Sequence, residues 1–452
     1  GLREALGKEK TFDWGPVLDL CQWVLSQPRE IAGREIRGIE ADPDWDWTRK
    51  AIADLLSAGL ENRPGSIPIG FREKVWAILE PLTEDPDPTP EDEQRYGEPN
   101  MDPATLAINT TRGVAMEAAI RYALWVQRHL EKGPDSKEGL QKGFENMPEV
   151  REVLNTHLNT AKDPSLAIRA VYGFWFPWLV VLDEQWAREH VGYIFPLDEN
   201  QEAHFDAAWD TYVSFCLPSE TSKSVFNLLR EQYYHAVQRV GTREYHASWP
   251  ANPDEKLAEH LMLLYGYGAL SLEDSLLADF WKKASDALRG YAISFIGRIV
   301  RTCREVPQEV LDRLKRLWET RLEVAKQSQS PAEFAKELAA FGWWFTSDKF
   351  DVSWALENLL ESLRLVRKTE PTSTVLEHLG KTAQQYPLQS VRCLKMIAEG
   401  DQDGWELHLS MDHIQSILER ALRDPNSRKE AEATINYLIS RGFLKLKELL
   451  KR

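Results

Sequence analysis

Apolar residues spaced three and four apart recur along almost all of the 452-residue chain, while stretches that alternate apolar and polar residues between turns are hard to find. That pattern restricts the chain to helices packed on helices. Start and stop signals punctuate it. Ser330-Pro331-Ala332-Glu333 reads as a capping box with proline at the first helical position, and Asn252-Pro253-Asp254-Glu255 and Ser427-Arg428-Lys429-Glu430 follow the same logic. Asp102-Pro103 and Asp163-Pro164 start two more helices, and Gly442, after "ATINYLIS", suits a left-handed C-terminal cap. The spacing of these signals predicts roughly eighteen to twenty helices of ordinary length joined by short turns. Consecutive helices joined so tightly run antiparallel, and each hairpin leaves an apolar flank that only the next can cover. The expected fold is all-α, a right-handed α-solenoid of antiparallel helical hairpins. Its repeats are HEAT- or TPR-like but degenerate: "WAREHVGYIFP", "LAEHLMLLYGYG" and "VLEHLGKTAQQYP" share a Glu-His before an apolar helix end, yet begin at Trp186, Leu257 and Val375 with no fixed period.

One segment interrupts the helical pattern. Thr83 to Asp102, "TEDPDPTPEDEQRYGEPNMD", carries eight acids, one arginine and four prolines, and is expected to be a linker or loop over 83–101, or an acidic docking arm. It would separate an N-terminal helical part, 1–82, from the main array, 102–452. The opening "GLREALGKEK" has neither an initiator methionine nor the apolar core of a signal peptide, so the chain is expected to be a piece of a larger protein, or a tagged whole.

The tryptophans sharpen the reading of the array. There are 17 of them in a chain that is 43% hydrophobic, too apolar and aromatic for disorder. In "AAFGWWFTSDKFDVSWAL", Phe334, Leu338, Phe341 and Phe345 fall on one helical stripe counted from Ser330; Trp343 points the opposite way and Trp344 off to the side. In the next helix Val352, Leu356, Leu359, Leu363 and Val366 form a stripe with Trp354 across from it. Helices apolar on two faces suit stacking between neighbours, so the rings read as packing between helices or as an exposed binding patch. Ala339, Ala340 and Gly342 would let another backbone come close. Similar clusters surround Trp175, Phe176 and Trp178, where Pro177 is expected to end or kink the helix, and Trp45 and Trp47, where Asp44 and Asp46 read as helix-start acids.

No chemical motif stands out. Gly380-Lys381-Thr382 lacks the first glycine and the strand of a phosphate loop, and Gly266 with Gly268 lacks the third glycine of a dinucleotide fingerprint. There is no H-E-x-x-H and no G-x-S-x-G, and Cys21, Cys216, Cys303 and Cys393 lie far apart, so no metal, cofactor or disulfide scaffold is expected and the setting is read as cytoplasmic. A net charge of -16 disfavours nucleic acid, and no run is apolar enough for a membrane span. Against that acidic background, Arg289, Arg298, Arg301, Arg304, Arg313, Lys315, Arg316 and Arg321 form a basic run, with Arg298 and Arg301 on one helix face. It reads either as a solvated face paired with Glu305, Glu309 and Glu319 or as a strip that docks an acidic protein.

The runs "ELAAFGWWFTSDKFDVSWALENLL", "DPSLAIRAVYGFWFPWLVVLDEQWAREH" and "LAEHLMLLYGYGAL" resemble the C-terminal helical region of large bacterial antiphage defence proteins, in which a nucleotide-binding or NAD-degrading effector precedes HEAT- or TPR-like repeats. The resemblance implies a sensor that recognises a phage protein and switches on an effector outside this chain. The expected function is therefore non-enzymatic protein recognition, with Trp343, Trp344, Trp354, Arg298, Arg301 and Arg304 as candidate binding residues. The alternative is a glycan-processing enzyme on an (α/α) toroid that stacks sugars on tryptophan and cleaves them with paired carboxylates.

Overall fold

The computed structural model describes residues 13–29, 45–97, 100–131, 142–243 and 252–451. Over those residues the chain is all-helical, with 24 α-helices, short 3-10 turns and no strand. No helix among them is long and apolar enough to cross a membrane. The helices outnumber the expectation because some periodic stretches are broken. The helix expected from Ser330 to Phe345 is a 3-10 turn at Pro331–Phe334, a short helix at Ala335–Ala339 and another at Gly342–Phe345. Ser330 makes no side-chain cap, and neither does Ser427 before Arg428–Ser440. Asp102 does: its carboxylate accepts from the Thr105 amide at 2.9 Å, with Pro103 opening the helix. Gly442 stands beyond the Arg428–Ser440 helix at φ 99°, and the next amide, of Phe443, reaches back to the Leu438 carbonyl at 3.1 Å.

The described residues separate into two compact units. The first holds those up to Leu217 together with Thr221–His235, and the second holds Pro218–Glu220, the described part of Ala236–Glu244, and the chain from Asp254 onward. The acidic stretch expected to be a linker lies inside the first unit and is built into it. Asp85 is 2% exposed, with the guanidiniums of Arg29 and Arg49 at 3.4 and 3.7 Å. Asp87 accepts from the Thr111 amide at 2.6 Å, and Arg112 donates to the carbonyls of Asp85, Pro86 and Pro88. Thr89 and Asp92 form a reciprocal capping box that opens the helix Pro90–Tyr96. Prolines and acids that rule out a helix interior are the same residues that favour a helix start.

The first unit is organised around Leu166–Leu182, which packs on Glu202–Phe215, Pro103–Asn109, Thr111–Glu131 and Glu184–Ile194. Its sequence, "LAIRAVYGFWFPWLVVL", is apolar on nearly every side, as a helix covered by four neighbours requires. The Ser165 hydroxyl caps it by accepting from the Ile168 amide at 3.2 Å. Pro177 does not end this helix; the chain stays helical to Leu182, and the Cys216 thiol donates to the Phe174 carbonyl at 3.1 Å beside the break in the hydrogen-bond ladder. Arg169, 1% exposed, donates from its two terminal nitrogens to the carbonyls of Tyr193 and Leu158. Trp45 meets Trp23 edge-on with centroids 5.7 Å apart, and Trp47 is 66% exposed; Asp44 lies outside the described residues.

In the second unit, helices pack mostly on others close to them in sequence. Asp286–Thr302 packs on Ala335–Ala339 and Gly342–Phe345, Val352–Val366 on Pro387–Gly400, Thr372–Thr382 on Met411–Arg423, and Met411–Arg423 on Arg428–Ser440. All four cysteines are free. Among the described residues, no group of three or more His, Cys, Asp or Glu side chains is placed to hold a metal ion.

Candidate functional site

Trp343, Trp344 and Trp354 do three different things. Trp344 is 1% exposed; its indole N–H donates to the Ile293 carbonyl at 2.8 Å, and its ring lies parallel to Phe350 at 5.5 Å. Trp318, which is fully buried, stacks on Phe341 at 4.3 Å and meets Trp344 at 6.0 Å. Trp354 closes this cluster against Phe341 and Phe350, donates its N–H to Glu319 at 2.8 Å and lies under the Lys315 ammonium at 5.4 Å. Those two rings are packing between helices. At Gly342 the expected close approach occurs: a Cβ there would stand 2.4 Å from the Glu370 carbonyl oxygen.

Trp343, half-buried like Trp354, is the one of the three that meets the arginines. Two guanidiniums of the neighbouring helix lie over its ring, Arg298 at 5.8 Å and Arg301 at 5.6 Å from the centroid, and Arg298 also lies 5.8 Å from the ring of Tyr291. The contact is fixed from below by Gly297. A Cβ on that residue would stand 2.6 Å from Trp344 Cδ1 and 2.8 Å from Trp343 Cβ, so the two segments pack at a distance that only glycine allows.

The basic run splits into two populations. Arg289 and Arg321 are structural: both bind Glu337, which is 0% exposed, at 2.5 and 2.6 Å. Arg313 pairs with Glu309 at 3.7 Å and donates to the Gly266 carbonyl. By contrast Arg298, Arg301 and Arg304 make no ion pair within 4 Å among the described residues. Of the three acids expected to neutralise the strip, Glu309 is taken by Arg313 and Glu319 by Trp354, while Glu305 is exposed and makes no ion pair within 4 Å among the described residues. Asp348, with φ 58°, reaches His378 Nε2 at 3.2 Å. Lys349 adds a further cation, its ammonium 2.9 Å from the Arg304 carbonyl. Arg298 bonds to the Ser294 hydroxyl at 3.1 Å, and its charge reaches Glu255, whose carboxyl is raised by burial and by the Glu259 charge against the opposing charges of Lys256 and Arg298. The six sequence candidates thus divide into a patch of Arg298, Arg301, Arg304 and Trp343, a buried ring, Trp344, and a half-buried ring, Trp354, engaged by Glu319 and Lys315.

A second arrangement, in the first unit, has no counterpart among the sequence candidates. A cavity of about 820 Å³ is bounded by the acidic loop, the C-terminal end of the Pro148–Leu158 helix and the turn before Leu166. Asp163, read from sequence as a helix start, instead accepts from His157 Nδ1 at 2.7 Å and lies 3.4 Å from Arg112 Nε, while Ser165 does the capping. Burial would raise the Asp163 carboxyl, but the His157 hydrogen bond and the Arg112 charge together outweigh it and hold the group below its ordinary value. A carboxyl depressed in the folded state contributes stability that is complete above the unfolded value of 3.8 and is lost as pH falls from there through the lower folded value. Asp163→Asn should therefore flatten the acid side of the stability curve, narrowing the gap between wild type and variant as pH falls below 3.8, as acid titration followed by circular dichroism would read. A gap between them that persists unchanged to the lowest pH would show that Asp163 is not held ionised.

Glu93 accepts from the amides of Leu166 and Ala167 and from the Ser165 hydroxyl, so it and Asp163 are both committed to neighbours. They are not the free carboxylate pair that glycoside cleavage uses. No protein family profile, curated protein or solved structure matches the chain.

Proposed function

We propose that the second unit is a protein-recognition array, stacked in the manner of a HEAT- or TPR-like solenoid, that docks an acidic segment of its partner on Arg298, Arg301, Arg304 and Trp343. The observation that carries this reading is a surplus of cations: in a chain of net charge -16, three neighbouring arginines make no ion pair among the described residues, and two of them lie over a half-buried indole. A solvated face in so acidic a protein would be expected to recruit its own glutamates, whereas a docking face keeps its cations for the partner. Arginine and tryptophan are also the side chains that dominate binding energy at interfaces. The order of packing among helices close in sequence supports the array, and the resemblance to antiphage sensor regions supports a phage protein as partner and an effector outside this chain.

Fluorescence anisotropy with a labelled Glu/Asp-rich peptide tests the site directly. Binding should be saturable and weaken as salt rises. Joint reversal by Arg298→Glu and Arg301→Glu should reduce affinity by about tenfold or more, and Trp343→Ala by about fivefold. Unchanged affinity in variants with wild-type circular dichroism would remove these residues from the site.

A further inference from the structure

Exposed apolar side chains collect at the C-terminal end of the second unit. Among the described residues of that unit six large ones are exposed, and four of them are Trp405, Leu409, Leu444 and Leu450. Scattered exposure is ordinary, whereas a concentration marks a surface that something covers. Trp405 and Leu409, 67% and 66% exposed, stand one helical turn apart on Trp405–Leu409. Leu444 opens the 3-10 helix Leu444–Lys451, in which side chains three apart align. Leu446 and Leu449 form its buried row, so Leu444, Lys447 and Leu450 make one outward row and Lys445, Glu448 and Lys451 the other. The two sets adjoin at Phe443: its ring lies 6.5 Å from that of His408, and a Cβ on Gly404, beside Trp405, would stand 3.5 Å from Phe443 Cζ.

Charge divides along the same line. Asp403 and Glu406 are exposed on either side of Trp405, while three exposed lysines accompany Leu444 and Leu450 against Glu448 alone. None of these six charged side chains makes an ion pair within 4 Å among the described residues, although the acidic and basic halves adjoin. Asp401 stands apart, its carboxylate accepting from the amides of Gly404 and Leu407 at 3.1 and 3.3 Å. We propose that this end of the second unit is a self-complementary interface, at which a second copy of the chain docks about a two-fold axis near Phe443 so that each copy's Trp405 half meets the other's Leu444 half. In such an isologous contact every pairing occurs twice, so a surface with one apolar, acidic half and one apolar, basic half satisfies itself. An anionic bilayer would attract the lysines but repel Asp403 and Glu406, and a partner of one charge would suit one half only. Tryptophan anchors contacts of this kind, and the charges at the rim set their register. The face around Arg298, Arg301, Arg304 and Trp343 takes no part in it.

Sedimentation equilibrium of the whole chain from roughly 1 to 200 μM reads the contact directly. At low salt the mass should rise with concentration from 52.0 kDa towards twice that value, and added salt should hold it back. Trp405→Ser should weaken the dimer by about tenfold or more. So should Lys445→Glu with Lys447→Glu, and likewise Asp403→Lys with Glu406→Lys, since each pair sets like charges across both halves of the contact. Mixing the two charge variants in equal amounts should restore dimers, because every acidic half then meets a basic one. All five substituted side chains are exposed, and circular dichroism checks that the variants are folded. A chain monomeric throughout that range overturns the proposal, as does a dimer that the variants leave intact or that the mixture fails to restore. Wild-type chain that stays monomeric yet floats with phosphatidylserine vesicles would give the face to a membrane instead. Charge reversal at Arg298 and Arg301 should leave the dimer unchanged; its loss there would move the contact to the arginine face and equally overturn the proposal.

Discussion

Replacing Glu337 by alanine should destabilise the second unit by about 3–5 kcal/mol, the cost of leaving buried charge without its counter-ion. Glu337 is fully buried and accepts from Arg321 Nε at 2.6 Å, from Arg321 Nη2 at 3.1 Å and from Arg289 Nε at 2.5 Å. Its own amide donates to Asp286 at 3.1 Å, which ties the Ala335–Ala339 helix to the start of Asp286–Thr302. Arg321 has nowhere else to go: its side chain is 9% exposed and its guanidinium lies 4.7 Å from the ring of Trp281. Arg289 is held as firmly, by the carbonyls of Ala284 and Glu333, both at 2.7 Å. The contrast is the half-buried Glu361, paired with Arg364 and with Lys326 at the surface, where Glu361→Ala should cost no more than about 1 kcal/mol. Because the chain has two units, hydrogen exchange across the Asp286–Thr302 helix is the appropriate readout, not a single melting temperature. A loss at Glu337 no larger than that at Glu361 would mean the cluster is hydrated and contributes little.

The second large effect separates two adjacent tryptophans. Trp344→Ala should cost about 3–5 kcal/mol, since it empties a site bounded by Phe350, Trp318 and the Asp286–Thr302 helix and removes the indole donor from the Ile293 carbonyl. Trp343→Ala should cost about 1 kcal/mol, because its ring is only half-buried and two guanidiniums lie near it. The order inverts for peptide binding, where Trp343→Ala acts and a folded, conservative Trp344→Phe does not. Similar stability losses at the two positions would deny Trp343 its separate role.

How much of this is legible in the sequence depends on the range of the interaction. Helical period, the Asp102 cap and the left-handed Gly442 are local and readable, and the double-faced aromatic segment correctly announces packing between helices. The helical count from Ser330 turns Trp343 away from the core stripe, as the structure has it, but leaves the buried Trp344 to one side because it assumes one unbroken helix, whereas the chain breaks at Ala340 and Phe341 and resets the phase. Arg298 and Arg301 are visible as neighbours three apart, but Trp343 joins them only through the tertiary contact at Gly297. His157 and Asp163 escape sequence reasoning for a different cause. Asp-Pro before an apolar run is an ordinary helix opening, and nothing in the spacing reveals that Ser165 takes the cap and frees the carboxylate for the imidazole.

The absent side chain at Gly297 has one more consequence. Since the floor beneath Trp343 cannot be raised by even a methyl group, the separation between indole and guanidiniums is set by the interior and not by the surface. What this face grips can then be retuned by exchanging its fittings, lysine for arginine or phenol for indole, whereas its calibre is inherited from the scaffold and cannot drift without unseating the helix behind it.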